Sequence, residues 1–245
     1  MENRWNDIIK SLFGRDVRIV YPKFFYSKKN QVTLLYLESA GKQFCVVAKY
    51  FVWGDPEKEK YILEKAALEG VRVPAVTASY ENILFIEYIP GTTIKSILAN
   101  GGFFPAETTA QWLGQFHRAL KTENGAFLKG DAMPPNFIIH KESELVYGID
   151  FEESAPGHIE EDIADITATI RLIGGGSETD RAGMTARFLQ SYLKENPVEI
   201  NYNRLIEYTI EAFERRYRYL PELTDRISEY KAIIKKEGKD FFHRF

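Results

Sequence analysis

The first third of the chain carries short runs of β-branched and apolar residues separated by polar turns. Four such runs predict strands, at residues 17–20, 32–37, 44–51 and 83–89. The turn 40–42 joins the second run to the third and indicates a hairpin. Asp55 and Pro56 are typical of a helix start and Gly70 of a helix end, so we expect a helix at residues 57–68.

Beyond Pro90-Gly91 the apolar residues recur at helical spacing. This pattern predicts helices at residues 92–99, 105–120, 159–173, 177–195, 202–219 and 222–237, and a hairpin formed by residues 136–139 and 145–149. We therefore predict an α+β fold with a small β-rich N-terminal lobe (residues 1–89) and a mostly helical C-terminal lobe (residues 90–245). Two lobes are a natural setting for a ligand cleft.

Composition narrows the class of partner. The chain has 32 basic and 35 acidic residues, a net charge of −3, which argues against nucleic-acid binding and a polybasic membrane anchor. Neither a signal-peptide pattern nor an apolar run of membrane-spanning length occurs. Cys45 is the single cysteine, and its apolar neighbours indicate a buried thiol in a reducing compartment. The four histidines lack metal-ligand spacing, so we expect a soluble, cytoplasmic protein without a zinc site.

The residues most informative about chemistry lie between positions 129 and 150. Asp131 precedes Asn136 by five residues across a Pro-Pro turn, and the predicted hairpin returns the chain to Asp150. Phosphoryl transfer needs a carboxylate that orients the attacking hydroxyl and hard oxygen ligands for Mg²⁺. The spacing therefore indicates Asp131 as the catalytic candidate and Asn136 with Asp150 as candidate metal ligands.

This order of residues resembles the protein-kinase-like superfamily, in the branch of aminoglycoside and choline phosphotransferases and short atypical kinases. That branch has the pattern His-Gly-Asp-x-x-x-x-Asn, an apolar strand and Ile-Asp-Phe. The similarity extends from about Val32 to about Ile159. It implies a bilobal kinase fold that transfers the γ-phosphate of ATP to a hydroxyl with Mg²⁺, using Asp131 for catalysis and Asn136 and Asp150 for the metal.

Residues 46–49 are similar to the kinase strand whose lysine pairs with the α- and β-phosphates. Strand alternation places Val47 and Lys49 on one face, so Val47 is expected to cover the adenine while Lys49 reaches the phosphates. The resemblance also implies a glutamate on the following helix that holds Lys49. Glu59 matches the family spacing best, Glu64 is second, and Glu57 is the other candidate.

Two further segments carry the resemblance. Residues 85–91 are similar to the segment that joins the kinase lobes, where backbone groups of Glu87 and Ile89 would bond the adenine edge. Asp162 and Asp165 both fit the aspartate that braces the catalytic loop through its backbone amides, with Asp162 favoured. Either one is also compatible with a helix cap or a first-turn carboxylate.

The chain departs from the family pattern at three places. Lys129 replaces the family histidine at a mainly structural position, and its charge is expected to lower the pKa of Asp131. The turn at 26–30 has no glycine with which to cradle phosphates. Two interpretations are open: the side chains of Ser27, Lys28 or Asn30 contact phosphate instead, or the turn is simply solvated. The candidate metal-binding tripeptide, residues 150–152, is Asp-Phe-Glu rather than Asp-Phe-Gly, and an acidic third residue is common in this branch.

The nature of the acceptor follows from a short segment. Only eleven residues separate Asp150 from Asp162, which leaves no room for a long phosphorylatable activation segment. We therefore expect a small-molecule acceptor, such as an aminoglycoside-like compound, an amino alcohol or a sugar. A nucleotide-binding pseudokinase scaffold and a small atypical protein serine/threonine kinase remain alternatives, and the oligomeric state is not indicated.

Overall fold

The computed structural model describes residues 2–25, 27, 29–123, 125–218 and 220–243. The chain divides into two compact units, Met1–Leu68 with Val73–Pro90, and Glu69–Arg72 with Gly91–Phe245. The first unit is β-rich and the second is mostly helical, so the predicted α+β fold class is confirmed. The lobe boundary between residues 89 and 90 stays a sequence-based prediction.

The N-terminal unit is built on one antiparallel sheet. Its elements are α1 (Glu2–Phe13), β1 (Arg18–Phe25), β2 (Gln31–Ser39), β3 (Lys42–Tyr50), α2 (Pro56–Leu68), β4 (Val76–Tyr80) and β5 (Ile83–Glu87). The strand order is β1-β2-β3-β5-β4. Ala40 and Gly41, at φ 49° and 75°, form the tight turn between β2 and β3, which matches the expected hairpin. Cys45 on β3 is only half-buried, so the expectation of a buried thiol is wrong.

Helix α1 is an element that the strand-rich prediction for this region lacks. Its apolar residues recur at three- and four-residue spacing, and they pack on one face of the sheet, where Trp5 and Phe13 contact the ring of Phe85 edge-on. The buried residues of this core are Ile8, Ile9, Val17, Leu35, Leu37, Val46, Ala48, Ile83 and Phe85. Because strand side chains alternate, Val47 and Lys49 lie on the opposite face of the sheet.

The C-terminal unit combines helices with two small sheets. Its elements are β6 (Gly91–Thr93), α3 (Ile94–Ala99), α4 (Ala106–Ala119), β7 (Lys121–Thr122), β8 (Gly125–Phe127), β9 (Phe137–His140), β10 (Val146–Gly148), β11 (Pro156–Gly157), α5 (Glu160–Ile173), α6 (Glu178–Glu195), α7 (Tyr202–Tyr217) and α8 (Thr224–Glu237). The strand orders are β10-β9-β6 and β11-β8-β7. The helices predicted beyond residue 90 correspond to α3–α8, and the predicted hairpin is β9–β10. Residue 219, the predicted end of α7, lies outside the described residues.

An aromatic core fixes the β9–β10 hairpin against α4. Trp112 is fully buried, stacks on Phe116 and contacts the rings of Phe137 and Phe151. A Cβ at Gly148 would lie 2.2 Å from the Trp112 ring, so the close approach of β10 to α4 requires a glycine. This packing sets the position of the chain that leaves β10. Among the described residues, no helix combines the length and apolar character needed to cross a bilayer.

Candidate active site

The catalytic candidate Asp131 lies in a tightly folded loop between β8 and β9. Gly130 has φ 80°, and a Cβ there would lie 2.4 Å from the carbonyl oxygen of Glu153, so this position excludes other residues. Pro134–Asn136 form a 3₁₀ turn that is closed by the Asn136 amide donating to the Met133 carbonyl at 2.9 Å. The loop is therefore held rigid on both sides of Asp131.

Asn136 holds the Asp131 side chain directly. Its Nδ2 donates to Asp131 Oδ2 at 2.8 Å and to the Asp131 carbonyl at 3.1 Å. The amide thus fixes one carboxylate oxygen of Asp131 and faces its own Oδ1 away from that residue. The five-residue spacing read from the sequence corresponds to a direct contact.

Burial raises the pKa of the Asp131 carboxyl, and the nearby carboxylates of Asp150 and Asp165 act in the same direction. The charge of Lys129 and the hydrogen bond from Asn136 oppose this rise. The expected lowering by Lys129 is present, but it does not decide the net direction, because desolvation is the larger effect.

Asp150 follows β10 and lies beside Asn136. The hairpin register pairs Phe137 with Gly148, and the Ile149 amide donates to the Asn136 carbonyl at 3.0 Å. Asp150 itself has φ 63°, a left-handed conformation that is uncommon outside glycine and costs backbone strain. The fold therefore brings Asn136 and Asp150 to neighbouring backbone positions, with Asp150 held in a specific backbone geometry.

Asp162, at the start of α5, braces the candidate catalytic loop, residues 129–136. Its carboxylate accepts the backbone N–H of Lys129 at 2.6 Å and that of Gly130 at 3.1 Å. Asp162 is 1% exposed. The structure thus assigns to Asp162, the favoured alternative, the contacts expected of the bracing aspartate.

A buried hydrogen-bond chain supports this brace from α4 and α6. His117 Nε2 lies 3.0 Å from Asp162 Oδ2, His117 Nδ1 lies 2.9 Å from the Tyr192 hydroxyl, and Asn196 Nδ2 donates to that hydroxyl at 3.0 Å. Burial raises the pKa of the Tyr192 phenol, which keeps the hydroxyl a donor. Sequence reasoning missed His117 and Tyr192, because a histidine and a tyrosine on apolar helix faces give no signal of their own.

Asp165 has a different role from Asp162. Its Oδ1 accepts from Arg215 at 2.8 Å and from Arg216 at 3.1 Å, which ties α5 to α7. The buried Arg216 also contacts the sulfur of Met133 in the catalytic loop at 3.2 Å. Burial lowers the pKa of the Arg216 guanidinium, and the charge of Asp165 opposes this change without reversing it. This second contact fixes the far side of the loop to the C-terminal helices.

In the N-terminal unit the structure brings Lys49 together with Glu59. Lys49 Nζ donates to Glu59 Oε2 at 2.7 Å, and the two residues are 5% and 1% exposed. Glu57 pairs instead with Lys60 at 3.2 Å, and Glu64 is exposed. Glu59, which the spacing in the sequence favoured, is therefore the glutamate that contacts Lys49.

The remaining nucleotide candidates lie at the ends of strands. The Glu87 amide donates to the Ala75 carbonyl at 2.8 Å, while the side chain of Ile89 is buried. In the glycine-free turn, Asn30 Oδ1 accepts the amides of Val52 and Trp53 at 3.0 and 3.2 Å, so this oxygen is engaged by protein. The Ser27 hydroxyl accepts the Asn30 amide at 3.4 Å, and Lys28, the third candidate in this turn, lies outside the described residues.

No protein-family model matches the chain, and no curated protein matches it. Solved structures do match. A Plasmodium vivax ethanolamine kinase is 13% identical, with a TM-score of 0.59, 86% of this chain and 77% of that chain covered. An amicoumacin kinase in complex with AMP-PNP, Ca²⁺ and Ami is 13% identical, with a TM-score of 0.61, and the alignment covers 89% of this chain and 88% of that chain. The chain has the protein-kinase-like fold.

A third match in the protein-kinase-like fold is a spectinomycin phosphotransferase in complex with ADP and spectinomycin. It is 12% identical, with a TM-score of 0.58, and the alignment covers 93% of this chain and 88% of that chain. The fold expected from the sequence motifs is therefore confirmed. At these identities the likeness establishes the fold alone, and the chemistry depends on the residues of this chain.

Proposed function

We propose that the protein is an ATP- and Mg²⁺-dependent phosphotransferase that moves the γ-phosphate to a hydroxyl of a small molecule. The observation that carries this proposal is the Asp131–Asn136 hydrogen bond in a braced loop of a protein-kinase-like fold. The structures that match this fold include ethanolamine, amicoumacin and spectinomycin phosphotransferases.

Asp131 would receive the acceptor hydroxyl. Catalysis of phosphoryl transfer rests almost entirely on positioning and electrostatics, since the protein has little covalent chemistry to do. With Oδ2 held by Asn136, Asp131 presents Oδ1 to the hydroxyl, orients it and takes its proton as the new oxygen–phosphorus bond forms. The bond from the γ-phosphorus to the β,γ-bridging oxygen breaks at the same time, and ADP leaves. The raised pKa of this carboxyl makes it a stronger base than an exposed aspartate.

Asn136 and Asp150 fit a hard divalent cation. The Asn136 side chain directs Nδ2 to Asp131, which leaves Oδ1 on the opposite side of the Cβ–Cγ axis, facing away from Asp131, and Asp150 adds a carboxylate at the neighbouring backbone position. Amide and carboxylate oxygens are the ligands that Mg²⁺ takes from proteins. When bound, Mg²⁺ would neutralise charge on the phosphates.

The N-terminal unit would hold the nucleotide. Lys49, oriented by Glu59, presents a buried positive charge suited to the α- and β-phosphates. Val47 lies on the same face of β3 and would cover the adenine, whose edge would bond backbone groups of Glu87 and Ile89. The buried ion pair keeps the ammonium extended before the nucleotide arrives, which lowers the ordering cost of binding.

The segment that follows Asp150 supports a small-molecule acceptor. Residues 151–161 are all described. They form a tight turn, in which the Ser154 backbone amide donates to the Phe151 carbonyl at 3.0 Å, and then strand β11, which pairs with β8. This compact path leaves no extended platform for a peptide. An aminoglycoside-like compound, an amino alcohol or a sugar is the proposed acceptor class, and the cytoplasm, suggested by the unpaired Cys45, is the proposed location.

The test is transfer from radiolabelled ATP with Mg²⁺ to a panel of amino alcohols, sugars, aminoglycosides and proteins. Asp131→Asn is the inactive variant, and Asp225→Asn, an exposed carboxylate on α8, is the matched control. A labelled small molecule that is absent with Asp131→Asn supports the proposal. Transfer to none, with ATP still bound, indicates a scaffold, and label on protein alone indicates a protein kinase. Activity that survives Asp131→Asn contradicts the mechanism.

A further inference from the structure

Lys129 is a charged residue with no exposed surface at the centre of the proposed active site. Burying an ammonium group is costly unless hydrogen bonds and nearby negative charge compensate the lost hydration. A fully buried lysine at this position therefore requires acceptors for its ammonium within the protein.

The ammonium joins two segments that are far apart in the sequence. Lys129 Nζ donates to the Asp150 carbonyl at 2.8 Å and to the Asp131 carbonyl at 3.2 Å. It also lies 4.9 Å from the ring centre of Phe151 and 5.9 Å from that of Phe137, within cation–π range of both. The two carbonyls belong to the proposed hydroxyl-orienting residue and to a proposed metal ligand.

The chemistry of the lysine suits this bridge. An ammonium has three donors on a flexible stem, so it can bond two carbonyls that lie in different directions, whereas a neutral imidazole offers one N–H. Meanwhile the Lys129 amide donates to Asp162, which anchors the start of the side chain. The strained left-handed backbone of Asp150 is held in part by the bond from Lys129 to its carbonyl.

We propose that Lys129 is a positioning residue whose ammonium ties the loop of Asp131 to the loop of Asp150, so that base and metal ligand keep a fixed separation. This inference rests on the proposed function for its catalytic consequence. Its structural content, the tie between residues 129–136 and residues 149–154, does not depend on that function. The alternative is that Lys129 only fills space among the aromatic rings.

The test compares Lys129→Met, which keeps an unbranched chain but has no donor, with Lys129→His, which keeps one N–H. Lys141→Met, in the exposed turn between β9 and β10, is the matched control. Two quantities are measured: kcat with the KM of each substrate, and amide hydrogen exchange of residues 129–136 and 149–154 in the ligand-free protein. Circular dichroism establishes that each variant is folded.

We expect kcat to fall by about 100-fold in Lys129→Met, the effect of a displacement near 1 Å, with little change in either KM. Exchange should rise in both segments together, Lys129→His should lie between the wild type and Lys129→Met, and Lys141→Met should change nothing. Equal kcat and equal exchange in the histidine and methionine variants, or faster exchange in one segment only, overturn the proposal.

The exchange arm also separates the two hypotheses. If the wild type transfers phosphate to no acceptor, the proposed function fails, yet coupled exchange in the two segments still supports the tie. If Lys129→Met does not fold, Lys129→His decides, since unchanged exchange in both segments of that variant contradicts a bridging ammonium.

Discussion

Replacing Asp162 by asparagine tests how the catalytic loop is held. The carboxylate accepts the amides of Lys129 and Gly130 at 2.6 and 3.1 Å and lies 3.0 Å from His117 Nε2. An asparagine keeps one oxygen and places an NH₂ group where the other stood. At least one buried N–H therefore loses its acceptor and faces another donor.

The magnitude follows from these contacts. A buried donor without an acceptor costs about 1–3 kcal/mol, and a hydrogen bond to a charged group contributes about 1.5–3 kcal/mol. Because these two effects overlap, we expect Asp162→Asn to lower the free energy of unfolding by about 2–4 kcal/mol. In a chain of 245 residues this corresponds to a Tm lower by roughly 4–16 °C. A loop displaced by about 1 Å would also lower kcat about 100-fold.

The assay is thermal unfolding together with amide hydrogen exchange at residues 129–131. Asp165→Asn is the matched control, because Asp165 lies on the same helix but accepts from Arg215 and Arg216. It should loosen the contact between α5 and α7 and, through Arg216, the Met133 end of the loop, while the exchange of residues 129–131 should rise less than in Asp162→Asn. An unchanged Tm and unchanged loop exchange in Asp162→Asn, or equal loop exchange in both variants, would refute the reasoning.

Three further changes have defined outcomes. Asp131→Asn should lower kcat about 10²–10⁴-fold as a general base is lost, and should raise Tm at neutral pH. The raised pKa of the Asp131 carboxyl means that its ionisation, as pH rises through the unfolded-state pKa, costs stability, which asparagine avoids. Lys49→Met should cost about 3–5 kcal/mol of stability and weaken ATP binding, because it leaves Glu59 buried without its ion-pair partner. Gly148→Ala should cost about 1–3 kcal/mol, since its Cβ would meet the Trp112 ring.

Thermal unfolding and ATP titration check these outcomes. The stability gain of Asp131→Asn should vanish in acid, where the wild-type carboxyl is protonated, and a gain that persists there would contradict its electrostatic origin. Adding Glu59→Gln to Lys49→Met should recover part of the lost stability. Fully additive effects of the two substitutions would argue against the Lys49–Glu59 ion pair. Gly183→Ala in α6, whose Cβ would meet only the end of the exposed Arg187 side chain, is the control for Gly148→Ala and should be neutral or stabilising.

The sequence predicted those parts of the fold that depend on local pattern. Long amphipathic helices and the hairpins at Ala40-Gly41 and β9–β10 appear within a few residues of their predicted limits, because periodicity and turn residues encode them directly. Strands of two or three residues, such as β7 and β11, carry no such pattern and form only where tertiary packing pairs them. Helix α1 has a helical pattern that the strand-rich surroundings obscured.

The candidate site divides in the same way. The contact of Asp131 with Asn136 and that of Lys49 with Glu59 follow from spacing within one motif or between neighbouring elements. The contact of Asp162 with His117 depends on how α4 packs beside α5, which no local pattern records. The net rise in the pKa of Asp131 was also unpredictable, because it depends on burial rather than on the adjacent charge.

Helix α1 has a consequence for synthesis of the chain. Trp5 leaves the ribosome eighty residues before Phe85, the ring on which it packs. At about 5–20 residues per second this interval lasts roughly 4–16 s. A helix of 12 residues is marginal alone in water, and during that time the side chains of α1 that pack on Phe85 lack this partner. Until β5 has been made, the nascent α1 segment therefore presents an incompletely covered apolar face to which chaperones can bind.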